Sequence, residues 1–133
     1  MATGTGTQED PWQLTTPLGT SALTMHIDEE KQVLHCQVGS TWLHYKPSAL
    51  DDLHAMLVAH GDWMELGNKD EKAEAKPGTV EHWARSPGNP VGGWYGLRKG
   101  YRGRFASYVG ATLEGQGRAE FEKRGRGTWI RAI

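Results

Sequence analysis

Cysteine is nearly missing from this sequence: Cys36 stands alone among 133 residues. That excludes a disulfide within the chain and any cysteine-rich zinc site, and it fits a reducing compartment, so the cytoplasm is the expected location. Long apolar runs are missing too. No stretch approaches the roughly 18 residues that a membrane span needs. The start, MATGTGTQEDPW, has neither the basic residues nor the apolar core of a secretory signal, so membrane insertion and export are not expected. Nucleotide motifs fail in the same way. No Gly-Lys-Ser/Thr follows the glycine-rich stretch, no GxGxxG spacing follows a strand, and no GxSxG elbow occurs, so no cofactor is expected and no reaction is fixed. His60-Gly61-Asp62 and His54 with Asp51 pair imidazole with carboxylate, but no activated Ser or Cys accompanies them, and they read as polar residues at a helix end.

Large rings are plentiful by contrast, with six tryptophans in a single-domain length of chain. The segment GNPVGGWYGLRKGYRGRFASY, residues 88–108, combines six glycines, five aromatic rings and four cationic side chains. Rings offer flat apolar area, glycines let a backbone approach closely, and Arg or Lys holds an anionic or π-rich partner. Charge is also unevenly placed. Residues 1–83 hold five Lys/Arg against thirteen Asp/Glu, a net −8, and residues 84–133 hold ten against three, a net +7. Such halves attract each other within one fold or across a homodimer, or the cationic half faces an anionic partner.

The hydrophobic pattern gives a single α+β domain over residues 21–133, preceded by an irregular arm at 1–20 that Pro11 and Pro17 keep out of regular ladders and Trp12 and Leu14 pin down. Leu23, Met25 and Ile27 alternate with Thr24 and His26, and Leu34, Cys36 and Val38 alternate with His35 and Gln37, which marks two half-buried strands. Gly39-Ser40 is a two-residue hairpin in which glycine supplies the positive φ of a type II′ turn. Pairing Val38 with Thr41 then sets Cys36 against Leu43 and Leu34 against Tyr45, completing a three-stranded antiparallel meander with its apolar side chains on one face.

Pro47-Ser48 opens a first helix, capped by Ser48 and ended by Gly61, with Leu50, Leu53, Met56 and Leu57 as its apolar stripe. Residues 67–78 read as a solvated loop. Thr79 caps a short helix reaching Arg85, and a third helix runs from Tyr101 to Glu114. Gly110 inside it costs about 1 kcal/mol relative to Ala, which a close approach by a ligand or backbone offsets. Ala119 and Phe121 pair with Ala132 and Ile130 in a C-terminal β-hairpin able to extend the sheet.

Several constellations could carry function. The meander places His35 opposite His44 with His26 alongside, weak candidates for zinc or copper, while Trp42 and Gln37 make the same face suitable for a dimer contact. Cys36 faces the core, where a thiol is an inert hydrophobe unless a cavity beneath makes it a covalent handle. The preferred reading is an aromatic-lined apolar pocket between the sheet and the third helix, taking a flat organic molecule. Trp42, Trp94, Tyr101, Phe105 and Tyr108 are its walls, Gly110 gives room, and Arg98 and Arg104 are polar anchors. The alternative is a winged-helix-like nucleic-acid-binding protein, with the third helix in a groove, phosphates met by Arg98, Lys99, Arg102 and Arg104, and a basic wing at Arg124 to Gly127. The long stretch between the second and third helices departs from that motif.

The stretches DPWQLTTPLGTS, DDLHAMLVAHGDWMELG, TVEHWARSPGNPVGGWYGLRKGYRGRF and the closing RAI resemble a family of short bacterial proteins classed as a domain of unknown function. The resemblance implies one domain over nearly the whole chain and brings no activity, cofactor or catalytic residue. Against that family's pattern, Gly110-Ala111 and Gly115-Gln116-Gly117-Arg118 replace bulkier residues beside the third helix. Lost bulk suggests a cavity, the mark of a chain engineered to host a synthetic cofactor or substrate, or of natural drift.

Overall fold

The computed structural model describes residues 3–17, 19 and 21–133; Met1, Ala2, Leu18 and Thr20 of the expected arm lie outside the described residues. Two antiparallel sheets and three helices form the α+β architecture. The first sheet runs in chain order, β1 (Trp12–Thr15), β2 (Ala22–Asp28), β3 (Val33–Val38) and β4 (Thr41–Tyr45). Its register follows the alternation: Val38 pairs with Thr41, Cys36 with Leu43, Leu34 with Tyr45 and His35 with His44. Gly39 takes φ +61, as the tight turn requires. Leu23, Met25, Leu34, Cys36, Leu43 and Tyr45 all point inward and are buried.

The meander has four strands rather than three. Trp12 to Thr15, expected to be irregular, pair with Met25 to Ala22, and Leu14 is buried in the core. Pro11 stops the strand at its beginning and Pro17 follows its end, so the prolines bound the ladder without entering it. Residues ahead of β1 fold back over it, where the Gly6 carbonyl accepts from Ile27 N–H at 2.8 Å.

Helix α1 (Ala49–His60) buries Leu50, Leu53 and Leu57 and ends at Gly61, whose N–H donates to the Leu57 carbonyl. Ser48 sits before it in a helical conformation and makes no side-chain cap, contrary to expectation. Strand β5 (Met64–Glu65) follows. Helix α2 (Val80–Trp83) is capped as expected, the Thr79 hydroxyl accepting from His82 N–H at 3.2 Å, but it stops before Arg85.

Helix α3 (Phe105–Gly115) starts four residues later than the sequence suggests, because Arg104 adopts the left-handed conformation, φ 58 and ψ 24, and the chain before it is extended loop. The C-terminal hairpin, β6 (Ala119–Arg124) and β7 (Gly127–Ala132), has the expected register, Ala119 with Ala132 and Phe121 with Ile130. It does not extend the first sheet. β7 pairs instead with β5, making a second sheet in the order β5-β7-β6. Among the described residues no helix is long and apolar enough to cross a membrane.

Helix α3 is the centre of the molecule, touching β1, α1, α2 and β6. Phe105, Ala106, Val109, Gly110, Ala111, Thr112, Leu113 and Gly115 are all buried, leaving Ser107, Tyr108 and Glu114 as its solvent-facing positions. A helix so enclosed presents no continuous face to a nucleic-acid groove, which is the physical objection to the winged-helix alternative.

Candidate functional site

The glycine-rich aromatic segment of residues 88–108 is shaped mainly by contacts within the protein. Asn89 closes its first turn: Nδ2 donates to the carbonyls of Trp83 and Gly93 at 2.8 and 2.7 Å, while Oδ1 accepts from the Val91 and Gly93 N–H groups. Tyr95 then enters the core, where its ring lies 5.4 Å from Trp83 and 5.2 Å from Phe105 and its hydroxyl donates to Asp52 Oδ2 at 2.9 Å. Tyr45 completes this group against Phe105 at 5.7 Å. Four packed rings therefore occupy the space where a hollow was expected between the first sheet and α3.

Outside the core, Arg98 and Arg102 of this segment find partners nearby. Two guanidinium groups lie over the Trp94 ring, Arg85 at 4.6 Å and Arg102 at 4.3 Å, and Arg98 lies 4.1 Å over Tyr101. Glu71 clips the segment to the loop before α2. Its carboxylate accepts from Gly100 N–H, Arg102 N–H and Arg102 Nε at 2.8, 3.0 and 2.7 Å, and the Arg102 hydrogen bond leads the interactions that hold its pKa below the usual carboxylate value. Gly103 lies so close to that loop that a Cβ there would overlap the backbone of Asp70 and Glu71. Arg104 N–H then donates to the Lys69 carbonyl at 2.7 Å.

A buried carboxylate anchors the start of α3. Glu81, fully inaccessible to solvent, accepts from Ala106 N–H at 3.0 Å through Oε1 and faces Arg85 at 3.4 Å through Oε2. Burial pushes its pKa up to about 7, against the pull of the Ala106 N–H and the Arg85 guanidinium. Arg85 in turn donates to the carbonyls of Lys69, Asp70 and Ala73, so one ion pair ties α2, α3 and the loop together.

Two cavities open beside this junction. The larger, about 580 Å³, lies between the β1–β2 turn, the β5 end, α3 and the β6–β7 turn; Lys69, Arg104 and Arg126 line it with Asn68, Ser107 and Tyr108, and so does one carboxylate, Glu65, which is paired with Lys76 at 3.5 Å. The smaller, about 210 Å³, is more apolar, with Val38, Leu43, Tyr101, Arg104 and Tyr108 in its walls and Asp70 and Glu71 at its rim. Arg104 and Tyr108 line both. Asn68 Oδ1, in the wall of the larger cavity, is buried without a hydrogen-bond partner among the described residues.

Of the residues expected to line one pocket, Tyr101, Arg104 and Tyr108 do come together here. Arg98 stacks on Tyr101 without lining either cavity, Phe105 is in the core, Trp94 is engaged with Arg85 and Arg102, and Trp42 stands on the outer face of the first sheet. Gly110 faces the second sheet: a Cβ at this position would sit 3.5 Å from both Ile130 and Phe121, an ordinary contact, so the small residue opens no guest site. Cys36 is fully buried with its pKa raised to about 12 by burial, which leaves an inert thiol in place of a covalent handle. The histidines line up as the register requires, and burial lowers the pKa of His35 and His44, with His26 and His44 adding to the effect at His35 and Arg98 at His44. No group of three or more His, Cys, Asp or Glu among the described residues is placed to hold a metal ion.

Sequence reasoning missed Asn68 and Lys69, in a loop read as solvated, and Thr128, at the start of β7, and it placed Arg126 in a basic wing; the pairing of β5 with β7 brings these segments to the start of α3.

These features define a small α+β protein with a polar cleft where its central helix begins, lined by three basic residues and one acidic residue. The chain belongs to a family of unknown function, DUF6855, whose family model matches residues 4–133. No curated protein and no solved structure matches it.

Proposed function

We propose that this protein binds a small anionic molecule with a flat apolar portion. The charged end lies among Lys69, Arg104 and Arg126, and the flat end lies against Tyr108 and Tyr101. The aromatic pocket expected from the sequence is thereby displaced from the core to the mouth of α3, and its polar anchors become more important than its rings.

One observation carries this reading. Six of the chain's arginines are paired with a carboxylate or stacked on a ring: Arg85, Arg98, Arg102, Arg118, Arg124 and Arg131. The remaining two, Arg104 and Arg126, have no such partner among the described residues, and both line the 580 Å³ cavity. A cavity of that size suits a small-molecule ligand. Two guanidinium groups with a nearby lysine suit carboxylate or phosphate oxygens, which they meet in charge-assisted hydrogen bonds.

Fluorescence titration with 8-anilinonaphthalene-1-sulfonate, a flat anion, tests the reading. Saturable binding is expected, displaced by inorganic phosphate or pyrophosphate. Arg104→Gln and Arg126→Gln should each weaken it about 10-fold, the scale of a hydrogen bond to a charged group, whereas Arg118→Gln, away from the cleft, should not. Absence of saturable binding, or equal affinity in all three variants, overturns the proposal.

A further inference from the structure

The outer face of the first sheet carries a row of histidines away from the cleft. His26, His35 and His44 stand level across β2, β3 and β4. Their rings meet in different ways. His26 stacks on His35, with centroids 4.8 Å apart and planes at 29°. His44 meets His35 edge on, at 88°, and the two Nδ1 atoms lie 2.9 Å apart. Ring nitrogens at that separation share either a proton or a metal ion.

We infer that His35 and His44 form a two-imidazole chelate for a tetragonal late transition metal ion of the Cu(II) or Ni(II) type. The separation is the main argument. With metal–nitrogen bonds of about 2.0 Å, two ligands at a right angle are about 2.8 Å apart, while two at a tetrahedral angle are about 3.3 Å apart. The observed 2.9 Å matches the edge of a square-planar ion, the geometry that nitrogen ligands give Cu(II) and Ni(II). Histidine χ2 is a soft torsion, so each ring can turn its Nδ1 lone pair toward a shared ion without moving the strands.

The surroundings fit. Asp28 Oδ2 lies 3.8 Å from Nε2 of His35, on the side of the ring away from His44, where a carboxylate commonly orients a ligating imidazole. Trp42 sets its edge against His26 and His35 at 6.2 and 6.3 Å and walls one side. Arg98, whose charge acts on His44, opposes a cation there, so the chelate binds the metal ion more weakly than the two imidazoles alone would.

The test uses untagged full-length protein and Cu(II) alone. Electron paramagnetic resonance with pulsed nitrogen modulation counts the bound imidazoles, and two are expected in the wild type. His35→Gln and His44→Gln should each leave one at most and weaken Cu(II) binding at least about 10-fold, and Asp28→Asn should weaken it about 10-fold as the loss of an outer partner. His60→Gln, on α1, should change neither. A wild-type spectrum with one imidazole or none overturns the inference even if a variant fails to fold, and so does an unchanged spectrum in His44→Gln.

Discussion

Glu81 is the residue on which the junction turns. It is buried completely, yet it accepts a hydrogen bond from the first turn of α3 and faces only one cation, so desolvation outweighs its partners and its folded pKa rises to about 7 from an ordinary 4.5. The sign of the linkage follows. Above pH 4.5 the unfolded chain has released this proton while the folded chain retains it, so stability from this group is full below 4.5 and is lost as pH rises through about 7. Glu81→Gln, which mimics the protonated form, removes that slope. Urea denaturation at pH 5 and pH 8 should show the variant gaining on the wild type by about 2–3 kcal/mol between the two, at 1.36 kcal/mol per pKa unit. Comparison with the wild type cancels the opposite contribution of His35 and His44, whose pKa values are lowered. Parallel curves for the two proteins would show that Glu81 is ionised in the folded state throughout.

Among the elements, α3 makes the clearest prediction. Gly110 reads in the sequence as a place kept small for a guest, and the fold shows it turned toward Phe121 and Ile130 with room for one methyl group at ordinary contact distance. Gly110 has no positive φ, so alanine fits both the space and the helix. Gly110→Ala should stabilise the protein by about 0.5–1 kcal/mol and leave binding of the anionic probe unchanged. A loss of stability, or weaker probe binding, would revive the guest site. Legibility varied with how local the determinants were. The pairing of β2, β3 and β4 followed from a period of two and one glycine turn, and the register of β6 with β7 followed in the same way. The start of α3 did not, because Arg104 is left-handed at the point where Gly103 packs on residues 70 and 71 and the Arg104 N–H donates to the Lys69 carbonyl, contacts distant in sequence. The second sheet was hidden because β5 is two residues long, too short for any periodicity. The cleft was hidden for a related reason: its lining comes from Thr16, Pro17 and Ser21, from residues 65–69, from Arg104, Ser107 and Tyr108, and from residues 126–128, which no local pattern connects.

On the scale of the whole molecule, the opposed charges of the two halves are used within the fold. Glu71 meets Arg102, Asp51 meets Arg118 and Glu81 meets Arg85, each pairing an acid of residues 1–83 with a base of residues 84–133. Glu71 gives this arrangement a test with two opposite outcomes. It lines the smaller cavity and is an anion beside a site proposed for anions, so electrostatics alone predicts that Glu71→Ala strengthens binding of the probe. The clip predicts the reverse. Three hydrogen bonds to this carboxylate hold residues 100–104 against the loop that carries Lys69 and Asp70, and with them the walls that Tyr101 and Arg104 form. Screening limits the repulsive contribution at distances near the roughly 8 Å Debye length, whereas a disordered wall costs the ligand the free energy of ordering it. Glu71→Ala should therefore bind 8-anilinonaphthalene-1-sulfonate about 10-fold more weakly, the scale of a single charge-assisted hydrogen bond. Amide exchange should accelerate at Gly100 and Arg102, whose N–H groups lose their acceptor, while α1 and the first sheet remain protected. Tighter binding with unchanged exchange would mean that the cleft keeps its shape without the clip and that charge alone governs its affinity.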